Sequence, residues 1–373
     1  MPPIECLSCL FVACPQELAA IAPSWYGPLP SSALSCPPRP SATPSLPPAP
    51  ASPLANHPSL ISLLSLTPPH PSLGLCLRLL ESYLQRGGGG RPSSSAGDED
   101  DEDEHTAAVA VCSLDLVASM VEGLGSNFQL LLLPPPAQTQ SPGAPTPAAA
   151  DLMSHLLGCL GDAATPLAVR SAALSAIGEL SKSCPAVVLP FADRAFGPAL
   201  HCLAMADGEE AGADETEELM ALKNNAAWTL GLLLAALGPD GSRPFLPHLL
   251  HALVQLSHAA EQRPREDDGM LRFNLCVCLA RLHMLDAAAV SGALPEIIDG
   301  LYLSFRWVGE AASSDEALAA WRFLAKAIIA DASLVMDSPS RQHAFVSAVQ
   351  YMGAVPHGDE CEVMLQIQAN LVA

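Results

Sequence analysis

Two kinds of side chain in this sequence have the type and spacing to do chemistry: a set of carboxylates and one indole. Asp115 and Glu122 stand seven residues apart in the stretch Leu114–Gly125, which puts both on one helical face, two turns apart. Glu179 and Trp228 occupy related places in the next two helical segments of the same kind. Carboxylates and an indole along one surface would hold an extended basic peptide, by charge and by stacking of one of its side chains. That is binding chemistry, not catalysis. The same residues also admit plainer readings, a solvated acidic face for the carboxylates and core packing for Trp228.

Signs of catalysis are missing. The sequence contains no G-x-S-x-G, no Walker A pattern, no G-x-G-x-x-G opening a helix after a strand and no H-E-x-x-H. The chain is therefore expected not to be an enzyme and to need no cofactor. Cys6 and Cys9 form one C-x-x-C, but no second pair or histidine follows at zinc spacing, so no metal is expected. His248, His251 and His258 share a helix face opposite Leu249, Leu250, Leu253 and Leu256, the pattern of a solvated polar stripe. Arg263-Pro264-Arg265 is too small a basic spot to bind nucleic acid and reads as an interhelical turn.

The elements that must position these residues are helices. Asp151 is placed to cap a helix over Leu152, Leu156, Leu157 and Leu160; Asp162 and Pro166 punctuate a turn; Val169, Ala172, Ala173, Ala176, Ile177 and Leu180 form a second apolar face. That unit is a helical hairpin, and it recurs. The segments at 173–180, 226–233, 275–282 and 320–327 align with Gly178, Gly231, Ala280 and Ala325 in register, at spacings of 53, 49 and 45 residues. Paired antiparallel helices at a period somewhat above ~40 residues, with a small residue where they cross, indicate HEAT or armadillo-type repeats. The second helices of the pairs carry the aligned segments and are expected on the concave side. The first helices are expected near 190–205, 244–259, 286–304 and 339–351.

Composition agrees with an all-α fold, an α-solenoid of HEAT (armadillo-like) repeats with Pro-rich and acidic inserts. Half of the 373 residues are hydrophobic but only 5% are aromatic, so Ala and Leu, the best helix formers, dominate the apolar fraction. The formal charge of −22 repels nucleic acid and anionic membrane and attracts basic proteins. Most of the 12 cysteines sit inside apolar helical runs, as small hydrophobes in a reducing compartment would. No apolar run is expected to reach the ~18 residues of a membrane span, and no basic region precedes the short apolar stretch at the N-terminus.

Four breaks divide the chain. Residues 1–26 read as a partial helical repeat, 27–73 as a Pro-rich low-complexity linker and 74–86 as a helix. Residues 87–105 read as a Gly-rich and acidic loop ending in seven consecutive acids, Asp98 to Glu104. Residues 106–373 read as the repeat array, with loops at 134–150 and at 207–218, the latter holding seven acids in twelve positions.

The ordered set Leu114–Asn127, Gly178–Cys184, Asn224–Gly231 and Asn274–Leu282, followed by Tyr302, Ser304, Arg306, Asp315 and Arg322, resembles the C-terminal half of the transportins. These are nuclear transport receptors of the importin-beta (beta-karyopherin) superfamily. The resemblance runs from about residue 106 to 373, with a fainter continuation over residues 4–29. It implies a superhelix of HEAT repeats whose C-terminal arch binds basic proline-tyrosine nuclear localisation signals of cargo proteins. By that resemblance Trp228 is the signal-site tryptophan, Asn224 the asparagine one turn before it, Asp115 and Glu179 the acids facing the basic part, and Met220 and Val277 apolar contacts; Glu122 joins these candidate signal-binding residues by its spacing from Asp115.

The resemblance also implies nucleoporins and the Ran GTPase as partners and shuttling between cytoplasm and nucleus. The family's Ran-binding arch and cargo-ejecting acidic loop have no counterpart in this sequence. The chain is thus expected to be a C-terminal portion, or a gene model truncated at its start, without GTP-driven release of its own. Glu179 stands where the family commonly has Asp, and Leu232 where it usually has an acid, so weaker binding of a basic signal is expected. Two other readings remain open: a structural HEAT scaffold for protein complexes, and a truncated remnant without transport activity.

Overall fold

The computed structural model describes residues 71–85, 99–132, 146–206, 213–262, 269–301 and 315–352. The expected partial repeat at 1–26, nearly all of the Pro-rich segment, the Cys6–Cys9 pair, Arg263-Pro264-Arg265 and residues 302–306 lie outside them. Among the described residues the secondary structure is helical throughout, without strands. The fold is the all-α, stacked-hairpin architecture of an α-solenoid. Its residues fall into two compact units, Met1–Val187 and Val188–Ala373.

In the first unit, α1 (Pro71–Gln85), α2 (Glu99–Leu124), α3 (Pro147–Gly161) and α4 (Leu167–Ser183) pack in two layers. Helices α2 and α4 form one layer and α1 and α3 the other, with α1 against α2 and α3 against α4. The apolar faces foreseen on α3 and α4 are buried along their whole length, from Leu152 to Leu160 and from Val169 to Leu180. The start of α3 differs from expectation. Thr146, not Asp151, is the N-cap: its hydroxyl accepts from the Ala149 amide at 3.1 Å, and Pro147 takes the first helical position, where a missing N–H costs nothing. Asp151 lies one turn further on and is exposed. At the other end Asp162 Oδ1 accepts from the Ala164 amide at 2.9 Å, and Pro166 opens α4.

Helix α2 begins at Glu99, so the acidic run that reads as a loop supplies its first turns. The helical run His105–Leu132, which includes a 3₁₀ stretch over Gly125–Leu132, is long and apolar enough by length and composition to cross a membrane, contrary to the sequence expectation. In this fold it supplies core: Leu114, Val117, Val121 and Phe128 are fully buried.

The second unit contains α5 (Ala192–Leu203), α6 (Ala213–Ser242), α7 (Leu246–Gln262), α8 (Gly269–Leu285), α9 (Ala287–Leu301), α10 (Asp315–Ala330) and α11 (Pro339–Met352). Helices α6, α8 and α10 stack as one layer, α5, α7 and α9 as the other, with α5 on α6 and α8 on α9. The first and second helices of each pair thus separate into layers, as the repeat requires. The acidic stretch at 207–218 is again shortened by a helix, since α6 starts at Ala213. Helix α6 is broken near its end at Gly238, whose φ of 70° is open to glycine at little cost and which precedes Pro239.

The small residues foreseen at the crossings, Gly178, Gly231, Ala280 and Ala325, are all buried. At Gly231 the reason is visible in distances. A Cβ there would lie 3.2 Å from both Cα and Sγ of Cys278 and 3.4 Å from Cδ of Arg281, so α6 and α8 approach backbone to backbone at this point. The thiols of Cys76, Cys159 and Cys278 are inaccessible, and burial pushes each up to about 12. His248, His251 and His258 are exposed on α7 opposite buried Leu249, Leu250 and Leu253, the solvated stripe expected of them.

Gly231→Leu is expected to push α6 off α8 and to lower the unfolding free energy by about 1–3 kcal/mol. Gly292→Ala, on exposed α9 where an added Cβ meets nothing within 4 Å, is expected to raise it by roughly 0.5–1 kcal/mol. Urea unfolding followed by circular dichroism checks both.

Candidate peptide-binding site

The residues singled out by type and spacing divide between the two units. Asp115, Glu122 and Glu179 belong to the first, on α2 and α4, which pack side by side in one layer. Glu122 is exposed and Asp115 half-buried. Burial raises the Asp115 carboxyl above its ordinary range, because the charged form loses hydration there. Glu179 is 13% exposed and lies 3.8 Å from Nζ of Lys182, one turn later on α4. An i,i+3 pair with one half-exposed partner is worth little in stability, but it places a cation beside the acid.

Asn224, Trp228, Met220 and Val277 belong to the second unit. Trp228 is half-buried on α6, with Asn224 one turn before it and Met220 two turns before it, both also half-buried. Val277, at 1% exposure, is part of the core of α8 and offers an arriving peptide almost no surface. Leu232 is buried as well, so a core residue occupies the place next to Gly231.

Three residues that sequence reasoning did not select complete this surface. The indole Nε1–H of Trp228 donates to Oε1 of Glu316 on α10 at 3.1 Å. The same oxygen accepts from Nη2 of Arg281 on α8 at 2.5 Å. A tryptophan from α6, a guanidinium from α8 and a carboxylate from α10 therefore meet at one atom. Two turns or so earlier along α8, Asn274 Nδ2 donates to Oδ1 of Asn224 at 2.8 Å. The two links, Asn274 to Asn224 and Arg281 through Glu316 to Trp228, bracket the surface of α6 that carries the indole.

Arg281 is 11% exposed and Glu316 37%, so the guanidinium forms the floor of the cluster and the carboxylate its rim. With Nε1 already donating to a carboxylate, the indole has its only polar atom satisfied. What remains for a ligand is the ring face and the outer edge, surfaces suited to an apolar side chain or a cation. No group of three or more His, Cys, Asp or Glu side chains among the described residues is placed to hold a metal ion.

Comparison with known proteins gives partial matches in sequence. No family model matches the chain. Over 208 residues, 56% of its length, the chain is 25% identical to transportin-1 of Mus musculus and to transportin-1 of Homo sapiens. Over 151 residues, 40% of its length, it is 28% identical to transportin-1 of Oryza sativa subsp. japonica. The chain carries a transportin-like region. It spans 19% of the mouse and human proteins and 14% of the rice protein. Among the described residues the chain is all-helical and built of stacked hairpins.

A raised Asp115 pKa means that the folded state favours the protonated carboxyl more than the unfolded chain does. The ionised form costs stability at neutral pH, and this cost fades as pH falls through the raised value and is gone below the ordinary 3.8. Asp115→Asn is therefore expected to raise Tm at neutral pH, with the gain shrinking toward zero in acid. Thermal melts of both proteins over a pH series check the sign.

Proposed function

We propose that this chain is the cargo-binding part of a nuclear import receptor, recognising basic proline-tyrosine nuclear localisation signals. The observation that carries the reading is Trp228, which is half-buried rather than sealed in the core of a layer of stacked helices, with its N–H satisfied by Glu316. A large rigid ring held in this way has the properties of a binding hot spot. The overall charge of −22 supports a basic partner, steering it at long range before short-range contacts form. Asn224 and Met220 stand one and two turns before the ring on α6, and Asp115, Glu122 and Glu179 of the first unit contribute to the negative charge that attracts a basic signal.

The role requires no catalytic step and no cofactor. Binding in the cytoplasm and release in the nucleus, with nucleoporins and the Ran GTPase as further partners, belong to the same proposal. A second reading is favoured by one observation: Asn224 already accepts from Asn274, and Arg281 is already paired with Glu316, as they would be in a scaffold that only holds its helices in register. Such a scaffold would bind folded proteins over a wide area and be indifferent to Trp228.

The test is the affinity of the whole chain for a basic peptide ending in Arg-x-x-Pro-Tyr, at low and moderate salt, with a peptide lacking Pro-Tyr as control. Binding at about micromolar Kd or tighter, weakened by salt and by at least about tenfold in Trp228→Ala, is the expected outcome. A folded chain that ignores the peptide but retains folded partners would establish the scaffold instead.

A further inference from the structure

The cluster around Oε1 of Glu316 has a role that goes deeper into the proposed binding reading and rests on it. We infer that Glu316 is the positioning residue of Trp228, and that Arg281 fixes Glu316 in turn, so that the ring is preorganised to receive a ligand on its face. Two distances and two exposures carry this. Trp228 Nε1 lies 3.1 Å from Glu316 Oε1, Arg281 Nη2 lies 2.5 Å from the same oxygen, and exposure rises from Arg281 at 11% to Glu316 at 37%.

An indole has one donor and no acceptor, so a single well-placed oxygen decides its orientation. A carboxylate oxygen is a strong partner for it, and a carboxylate held by a guanidinium has far less freedom than one at the end of a solvated side chain. Because the three residues come from α6, α8 and α10, the orientation of the ring depends on the stacking of three successive helices in one layer. The Arg281–Glu316 pair leaves little net charge beside the ring. The cluster therefore selects by shape and stacking, and the long-range attraction for a basic ligand must come from carboxylates elsewhere.

Preorganisation lowers the cost of binding by removing ring motions that the complex would otherwise have to freeze. Glu316→Leu removes the acceptor at similar size. Glu316→Gln keeps an acceptor oxygen for the indole, and so serves as the conservative rescue. The expected result with the Arg-x-x-Pro-Tyr peptide is an affinity loss of roughly two- to tenfold in Glu316→Leu, recovered in large part in Glu316→Gln. In a Trp228→Ala background, Glu316→Leu is expected to add no further loss, since a positioning residue has nothing left to position.

A readout free of any peptide accompanies this cycle: the indole N–H resonance of Trp228, assigned by its disappearance in Trp228→Phe. It should move toward the position of a solvated indole in Glu316→Leu. If that resonance stays in place while the variant is folded, the inference is overturned whatever the peptide does. If Trp228→Ala weakens binding but Glu316→Leu does not, or if the two losses add, Glu316 is not a positioning residue although the signal-binding reading survives. If the resonance moves but Trp228→Ala leaves the affinity unchanged, the binding reading fails and the positioning of a binding residue fails with it.

Discussion

The closeness of α6 and α8 at Gly231 is the constraint on which the second unit depends. A hairpin of two amphipathic helices cannot bury its apolar face alone and must stack on the next, and here the stack is tight enough that a single methyl would meet Cys278 at 3.2 Å. Short side chain–side chain bonds between neighbouring helices need such an approach. Along α8 the Asn274–Asn224 bond at 2.8 Å and the Arg281–Glu316–Trp228 cluster fall before and after Cys278, and both use the register that the crossing sets. A larger residue at 231 would press on Arg281 directly, since an added Cβ lies 3.4 Å from its Cδ, and by moving α6 from α8 would disturb the Asn274–Asn224 link as well.

The polar groups at this surface are engaged laterally, from helix to helix. In a stacked-hairpin protein, specificity of stacking is a real problem, because Leu- and Ala-rich faces fit many registers about equally well. Buried or half-buried polar pairs choose among them, since a slipped register would strand their donors and acceptors. Ser257 does the same in the other layer, donating to the Ile297 carbonyl across α7 and α9 at 2.5 Å. The register of the layer and the setting of Trp228 thus depend on the same kind of contact, with Asn224 bonded to Asn274 one turn before the indole.

The hairpins, their apolar faces and the small residues at their crossings could be read from the sequence because each is a local pattern: Val169 to Leu180 repeats with helical period, and Gly178, Gly231, Ala280 and Ala325 recur in register. Trp228 and Asn224 could be picked out because they sit one turn apart in a short run. Glu316 and Arg281 could not, since their partners lie 88 and 35 residues away and nothing local distinguishes them from other charged residues on helix surfaces. Boundaries were hard for a different reason. The acidic run does not mark the start of α2, which is Glu99, and Thr146 caps α3 because its hydroxyl reaches the Ala149 amide while Asp151 already lies inside the helix. The fall of Val277 into the core follows from its neighbours on α8, nearly all of which are buried too.

The cysteines give the chain a built-in record of its own breathing. Cys76, Cys159 and Cys278 are sealed inside helix contacts with their thiols pushed up to about 12, so a thiol reagent finds almost no thiolate while the helices stay packed. Cys278 also forms one wall of the Gly231 crossing, whereas Cys76 lies on α1 in the other unit. The time a thiol takes to become labelled then measures how often its own part of the stack comes apart, unit by unit, on a scale of local opening that no average over the whole chain would resolve.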